Sequence, residues 1–345
     1  MNNLEGDWRV SWSHQLEGKV GALSALKEGV AVACGGVVRM INDLGDFVWK
    51  RTFQFDVYRL VSDGSNIAVL SGPGFHLLDL RTGNPLGEGR AVSGGFRDCI
   101  PRPGGGWLLV DRGEHIHMFN RDGRGIRRLR PGRIRKLIGW LDREHLIIID
   151  DDGHLRCLRL FGENSQRIIE ERRWSWASRM SNGRILVQSV EGGIYEGVPN
   201  PFGWDSLEQL VETGVDPLES VRTGDGWWML TMDGSLDRIP PSDDSSWPAG
   251  ECIASNDTDI MATATRDGLI RWWESARLIS KRSLLLRKMV SEERQRIDWE
   301  QRQVVFEAAR DAEENGMLTH AVELYASLGR QEDVRRILAM KEAGG

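Results

Sequence analysis

The chain has 345 residues, 40% of them hydrophobic and 28% charged, with a formal net charge of −6. That balance describes a globular protein, and its sign removes any general attraction to polyanions, so nonspecific nucleic-acid binding is not expected from charge. No apolar run reaches the ~18 residues that a membrane-spanning helix needs. The opening MNNLEGDWRV carries neither the basic nor the apolar region of a secretory signal. A cytoplasmic location is the expectation.

From the N-terminal end, Trp8-Arg9-Val10-Ser11-Trp12 reads as a strand with no hairpin partner of its own. Seven apolar runs then follow, each ending in a tight turn: Gly35-Gly36, Pro73-Gly74, Gly113-Glu114, Asp152-Gly153, Gly192-Gly193, Asp233-Gly234 and Asp267-Gly268. Counted between their second residues, the intervals are 38, 40, 39, 40, 41 and 34. A period near 40 is that of a propeller blade. The runs before the turns, such as Val30–Ala33, Ile67–Leu70 and Leu146–Ile149, are nearly unbroken, as strands buried on both faces must be. Shorter partners follow, such as Val37–Ile41 and Leu269–Trp273, across turns whose glycines tolerate positive φ. A third strand precedes each pair (Tyr58–Val61, Lys136–Trp140), and a further turn such as Arg81–Asn84 or Arg121–Arg124 leads to an outer strand.

The seventh unit, Cys252 to Trp273, supplies only three strands. The unpartnered N-terminal segment is therefore expected to be the outer strand of that blade. Pairing both ends of the propeller in one sheet limits the open edges that invite aggregation.

Within the seventh unit, Asp259–Glu274 resembles a WD40 repeat, with Trp273-Glu274 where that family places Trp-Asp. Gly45-Asp46-Phe47-Val48-Trp49 and Arg81-Thr82-Gly83 resemble quinoprotein-type propeller repeats. The likeness spans residues 8–274. It implies the fold and carries no chemistry.

After Glu274 the composition turns helical: from Leu278 to Met340 there is no proline, and glycine stands only at 316 and 329. Leu284, Leu285, Met289 and Val290 start an apolar stripe, and Ser291–Gln303 reads as a solvated helix laced by i,i+4 pairs. Gly316 marks a helix stop. Gly316, Ala321 and Tyr325, with Ala309 before them, resemble the turn and packing residues of one tetratricopeptide-like hairpin. A single hairpin of that kind leaves a face to cover, by the propeller, a second copy or a partner.

Four features carry polar chemistry or binding potential. Cys34, Cys99, Cys157 and Cys252 lie far apart with no C-x-x-C pair, which argues for reduced thiols and against a zinc site. His115 and His154 follow the inner turns of neighbouring blades, and Asp150, Asp151 and Asp152 could add carboxylates. Equivalent positions on adjacent blades are too far apart for one ion, so these read as turn residues. Among the tryptophans, Trp107, Trp227, Trp228 and Trp273 read as core, whereas Trp174, Trp176, Trp204 and Trp247 include candidate partner anchors.

The fourth feature is the run Arg121–Lys136, with eight basic residues and one acid. As a docking patch it would use Arg124, Arg127, Arg128, Arg130, Arg133 and Arg135 against carboxylate or phosphate. As plain structure it is a charged outer strand and loop. Aromatic interleaving is absent, which disfavours nucleic acid.

No G-x-S-x-G elbow, phosphate-binding G-x-x-x-x-G-K-[ST] loop or H-E-x-x-H helix is present, and no carboxylate pair stands out. No catalytic residue, metal or cofactor is assigned. The expected architecture is mainly β: a seven-bladed β-propeller over residues 1–277, closed by the N-terminal strand, and a helical tail over 278–345. The expected function is non-catalytic, a protein–protein interaction scaffold or adaptor using propeller-face loops and the C-terminal helices. Its partners would be other proteins, including an acidic segment, with self-association through the tail as a further mode. Two alternatives stay open: a small-ligand or enzymatic site in the central channel, and a nucleic-acid-associated scaffold using Arg121–Lys136.

Overall fold

The computed structural model describes residues 8–91, 94–161, 165–212, 214–241, 247–248 and 250–343. The chain forms two compact units, Met1–Ala276 and Arg277–Gly345.

The first unit consists of seven four-stranded antiparallel sheets. From inner to outer strand, blade 1 is Val20–Leu26, Gly29–Cys34, Val37–Asn42 and Phe47–Thr52; blade 2 is Val57–Ser62, Asn66–Ser71, Gly74–Asp79 and Pro85–Arg90. Blade 3 is Phe96–Pro101, Trp107–Asp111, Ile116–Phe119 and Gly125–Leu129; blade 4 is Ile134–Trp140, His145–Asp150, Leu155–Arg159 and Ser165–Ile168. Blade 5 is Trp174–Ala177, Ile185–Ser189, Ile194–Asn200 and Gly203–Val211; blade 6 is Pro217–Thr223, Gly226–Thr231, Ser235–Ile239 and Trp247–Pro248. Blade 7 is Cys252–Ser255, Ile260–Ala264 and Leu269–Ser275, and its outer strand is the N-terminal Trp8–Gln15. The ring is therefore closed by the two ends of the propeller pairing in one sheet, from Trp8 opposite Ser275 to Gln15 opposite Leu269.

Burial is greatest at the second strand of each blade and falls from there to the rim. The second strands are buried throughout, as in Gly29–Cys34 and Trp107–Asp111, because neighbouring blades cover both faces. The outer strands Gly125–Leu129 and Ser165–Ile168 are almost wholly exposed. The core lies between blades rather than at one centre. Leu108, Val110 and Met118 of blade 3 pack on Leu137, Leu146 and Ile148 of blade 4, and blade 4 in turn presents Ile147 and Ile149 to Trp174 and Val187 of blade 5. Trp174, which the sequence placed among candidate anchors, is fully buried there; Trp176 and Trp204 are partly buried, and the side chain of Trp247 lies outside the described residues.

Close approach of blades explains one glycine. A Cβ on Gly87, in the outer strand of blade 2, would lie 2.3 Å from the Asp122 carbonyl oxygen of blade 3. Only a residue without a side chain fits there.

The second unit holds three helices: α1 (Ala276–Glu314), α2 (Leu318–Ser327) and α3 (Gln331–Ala343). Gly316 and Gly329 take φ of 76° and 73°, the left-handed conformation that ends a helix. Ala309 and Ala312 of α1, Ala321 and Tyr325 of α2 and Ile337 of α3 form a small buried core. The middle of α1 is exposed and carries ion pairs such as Lys288–Glu292 and Arg302–Asp298. Its apolar side chains Leu284, Leu285, Met289 and Trp299 are exposed within this unit as well. No helix among the described residues is long and apolar enough to cross a membrane.

Candidate functional site

The inner strands share a local irregularity. In blades 1 to 6 the register skips one residue near the strand start: Gly21, Tyr58, Arg97, Arg135, Ser175 and Leu218. A bulge re-aims the side chains on either side of it. The residues that follow, Ala22, Arg59, Asp98, Lys136, Trp176 and Glu219, occupy equivalent places around the channel.

Three of the skipped residues act as straps between blades. The Tyr58 hydroxyl donates to the Phe96 carbonyl oxygen at 2.6 Å. An Arg97 guanidinium N–H donates to Ile134 O at 2.9 Å, and an Arg135 N–H to Trp174 O at 2.8 Å. Phe96, Ile134 and Trp174 each open the inner strand of the next blade, so one geometry is repeated with a phenol and two guanidinium groups.

The following residues build a charge cluster. Asp98, almost fully buried, accepts from Arg179 and from the Leu137 backbone N–H at 3.1 Å, and lies 3.3 Å from Arg59 Nε. Arg59 also reaches Glu219 of blade 6 at 3.3 Å, so it joins blades 2, 3 and 6. Arg179 further donates to Cys99 O at 3.0 Å. Lys136 Nζ donates to Ala177 O at 2.8 Å and stands over the Trp176 ring, 5.2 Å from its centre. Arg179 Nη1 is buried with no acceptor among the described residues.

Burial and charge shift these groups in different directions. Burial alone would raise the Asp98 carboxyl, but Arg179, Arg59 and Lys136 outweigh it and hold it below the usual carboxylate range. Burial lowers Lys136 to about 8, with Glu219 and Asp98 opposing that shift and Arg59 and Arg179 adding to it. Burial, with Asp98 beside it, pushes the Cys99 thiol up to about 12. Cys34, Cys99, Cys157 and Cys252 are all unpaired thiols, the first three buried.

The basic run predicted as one patch is divided by the fold. Arg124, Arg127, Arg128 and Arg130 lie on or beside the outer strand of blade 3, Arg133 lies in the connection, and Arg135 and Lys136 lie on the inner strand of blade 4. A propeller chain crosses from the rim to the channel between blades, and the run spans that crossing. Arg135 therefore belongs with the channel groups. Arg127 is also partly a structural residue: its guanidinium donates to Leu160 O of blade 4 at 3.1 Å. The equivalent outer-strand bond in blade 1 is made by Trp49 Nε1 to Leu80 O at 2.8 Å, and in blade 7 by Trp12 Nε1 to Asp43 O at 3.2 Å. Arg130 is engaged by Glu114 at 2.6 Å. Arg124, Arg128 and Arg133 are exposed and have no acidic partner among the described residues. Ile126, 59% exposed, is the residue skipped at a bulge of this strand, between Gly125 and Arg127.

Each of the paired histidine positions closes on a carboxylate of its own blade. His117 Nε2 and Asp111 are 3.0 Å apart, and His115 Nδ1 is 3.2 Å from the same carboxylate. Asp150, Asp152 and His154 could offer three ligand atoms within 4.8 Å of one another, but Asp150 is already held by Arg156 at 2.6 Å and by the His154 backbone N–H at 2.8 Å. That is turn and ion-pair chemistry. The channel cluster was not legible as a unit: its members are about 40 residues apart, and the only signal was a charged residue recurring near the start of an inner strand.

No family model and no curated protein matches the sequence. Among solved structures, the crystal structure of BamB from Moraxella catarrhalis is similar, with a TM-score of 0.61 at 13% identity over 77% of this chain and 99% of that one. The likeness supports the seven-bladed propeller.

Proposed function

We propose that the protein is a non-catalytic interaction scaffold whose propeller rim captures an acidic segment of another protein. The observation that carries this reading is the outer edge of blade 3. Arg124 and Arg128 there, and Arg133 in the connection that follows, are exposed with no carboxylate partner among the described residues; Ile126 adds an apolar contact, and the strand Gly125–Leu129 ends its sheet. An extended acidic segment could pair with the open edge and meet the guanidinium groups with its carboxylates. The rigid disc supplies the mechanism, since loops and edges held by seven packed blades need little ordering on binding.

The helical unit supplies a second docking element in this reading. The shared core of Ala309, Ala321 and Tyr325 supports reading its hairpin as tetratricopeptide-like, and the exposed apolar side chains of α1 suit a partner helix or a second copy. The unpaired thiols support a reducing, cytoplasmic setting.

The test is affinity capture from source lysate with the wild type and with a variant carrying Arg124→Glu, Arg128→Glu and Arg133→Glu. Loss of the same partners from the folded variant supports the rim. Undiminished recovery of every partner removes it. Recovery of nucleic acid in place of protein, with steep salt dependence, would turn the reading to a nucleic-acid scaffold.

A further inference from the structure

Beside the channel cluster lies a cavity of about 340 Å³, lined among others by Arg59, Arg97, Asp98, Arg135, Lys136 and Ser175. Its charge does not balance. Arg59, Lys136 and Arg179 face Asp98 and Glu219, and Arg97 is matched by Asp151 at 2.8 Å. Arg135 and Lys136 form no ion pair with any described carboxylate; they are held by the neutral oxygens of Trp174 and Ala177. Five cations thus stand against three carboxylates; a fourth carboxylate near Arg135, that of Asp150, is held by Arg156 at 2.6 Å. A desolvated cation without a counter-charge is costly, and surplus positive charge that persists in a cavity is relieved by an anion.

We propose that this cavity binds a small multivalent oxyanion, a phosphate or polycarboxylate, with Arg135 and Lys136 as its direct ligands. Each of these side chains spends one hydrogen bond on the scaffold and keeps further N–H groups. Ser175, at the equivalent bulge of blade 5, also lines the cavity, with its hydroxyl donated to Gln188 and Ser189 of its own blade. Asp98 and Glu219 hold Arg59 in place, and Asp98 bounds the site on the acidic side, which selects for a compact ligand over an extended polyanion. The assignment is independent of the rim: it uses none of Arg124, Arg128 or Arg133.

The test is calorimetric titration of the full chain at low ionic strength with inorganic phosphate and, separately, with citrate. One saturable site per chain is expected for at least one probe, weakened tenfold or more by Arg135→Gln and by Lys136→Met and unchanged by Arg143→Gln, at an exposed position in the turn between the first two strands of blade 4. Phosphate binding alone assigns a tetrahedral anion, and citrate binding alone a polycarboxylate. A folded protein that shows no saturable heat with either probe overturns the proposal, as does binding that survives both channel variants. Should those variants fail to fold, the Lys136 side-chain NMR signal of the wild type decides. Its titration midpoint is expected to rise when the anion is saturating, and an unmoved midpoint overturns the assignment.

Discussion

The Arg127 guanidinium donates to the Leu160 carbonyl oxygen of the next blade at 3.1 Å, in the place where Trp49 reaches Leu80 at 2.8 Å. One position of the outer strand is thus an inter-blade strap, filled by indole in one blade and by guanidinium in another. Two adjacent arginines of blade 3 consequently have different tasks. Arg127→Glu is expected to cost about 1–2 kcal/mol, the worth of a hydrogen bond from a charged donor. Arg128→Glu is expected to leave stability within about 0.5 kcal/mol, as exposed substitutions do. Urea denaturation of the two variants checks this; equal midpoints would make the Arg127 bond energetically idle.

Asp98 anchors the channel. Asp98→Ala strips Arg179 and Arg59 of a buried carboxylate and is expected to cost about 3–5 kcal/mol, as breaking one side of a buried pair does. Its folded pKa is depressed, so its contribution is present above the unfolded carboxylate value near 4 and is lost as pH falls through the lower folded value. Denaturation midpoints of wild type and variant should therefore converge in acid below about pH 4. A constant gap down to pH 2 would contradict the ion-pair account.

Lys136 has the opposite linkage. Burial lowers it to about 8, whereas the unfolded chain holds its proton to about 10.4. Between those values the unfolded state binds more protons, so its contribution to stability rises with pH. Cys99 and Tyr58, both raised to about 12, act in the other direction over part of that range. The difference between wild type and Lys136→Met isolates the lysine: it should move in favour of the wild type from about pH 8 to about pH 10.5. A flat difference would mean that Lys136 is well solvated.

Gly87 tests the packing of blades 2 and 3. Gly87→Val would force a side chain against the Asp122 carbonyl oxygen and is expected to cost about 1–3 kcal/mol, the usual range for overpacking. Thermal melting reads this directly, and an unchanged midpoint would show that the outer strands can separate without loss.

The thiols give a simpler readout. Cys34, Cys99 and Cys157 are buried, and burial raises the pKa of all four thiols, which leaves little reactive thiolate at neutral pH. A brief pulse of a thiol reagent should label the native protein slowly and label four sites after denaturation. Rapid native labelling at Cys99 would contradict its place in the core.

The amino-acid sequence by itself determined the repeat and its closure. Turn glycines at a period near 40 and unbroken apolar runs before them demand stacked blades, and a three-stranded seventh unit demands the N-terminal strand. These are local signals, set by backbone conformation and by burial on two faces. Only the tertiary structure decided which charges act together. Arg127 and Arg135 are eight positions apart, yet the fold sends one to the rim and the other to the channel. Arg59 and Glu219 are 160 positions apart and meet at 3.3 Å. Proximity in a closed ring is set by radial position and blade order, which depend on all seven sheets packing at once. No window of the chain encodes that distance.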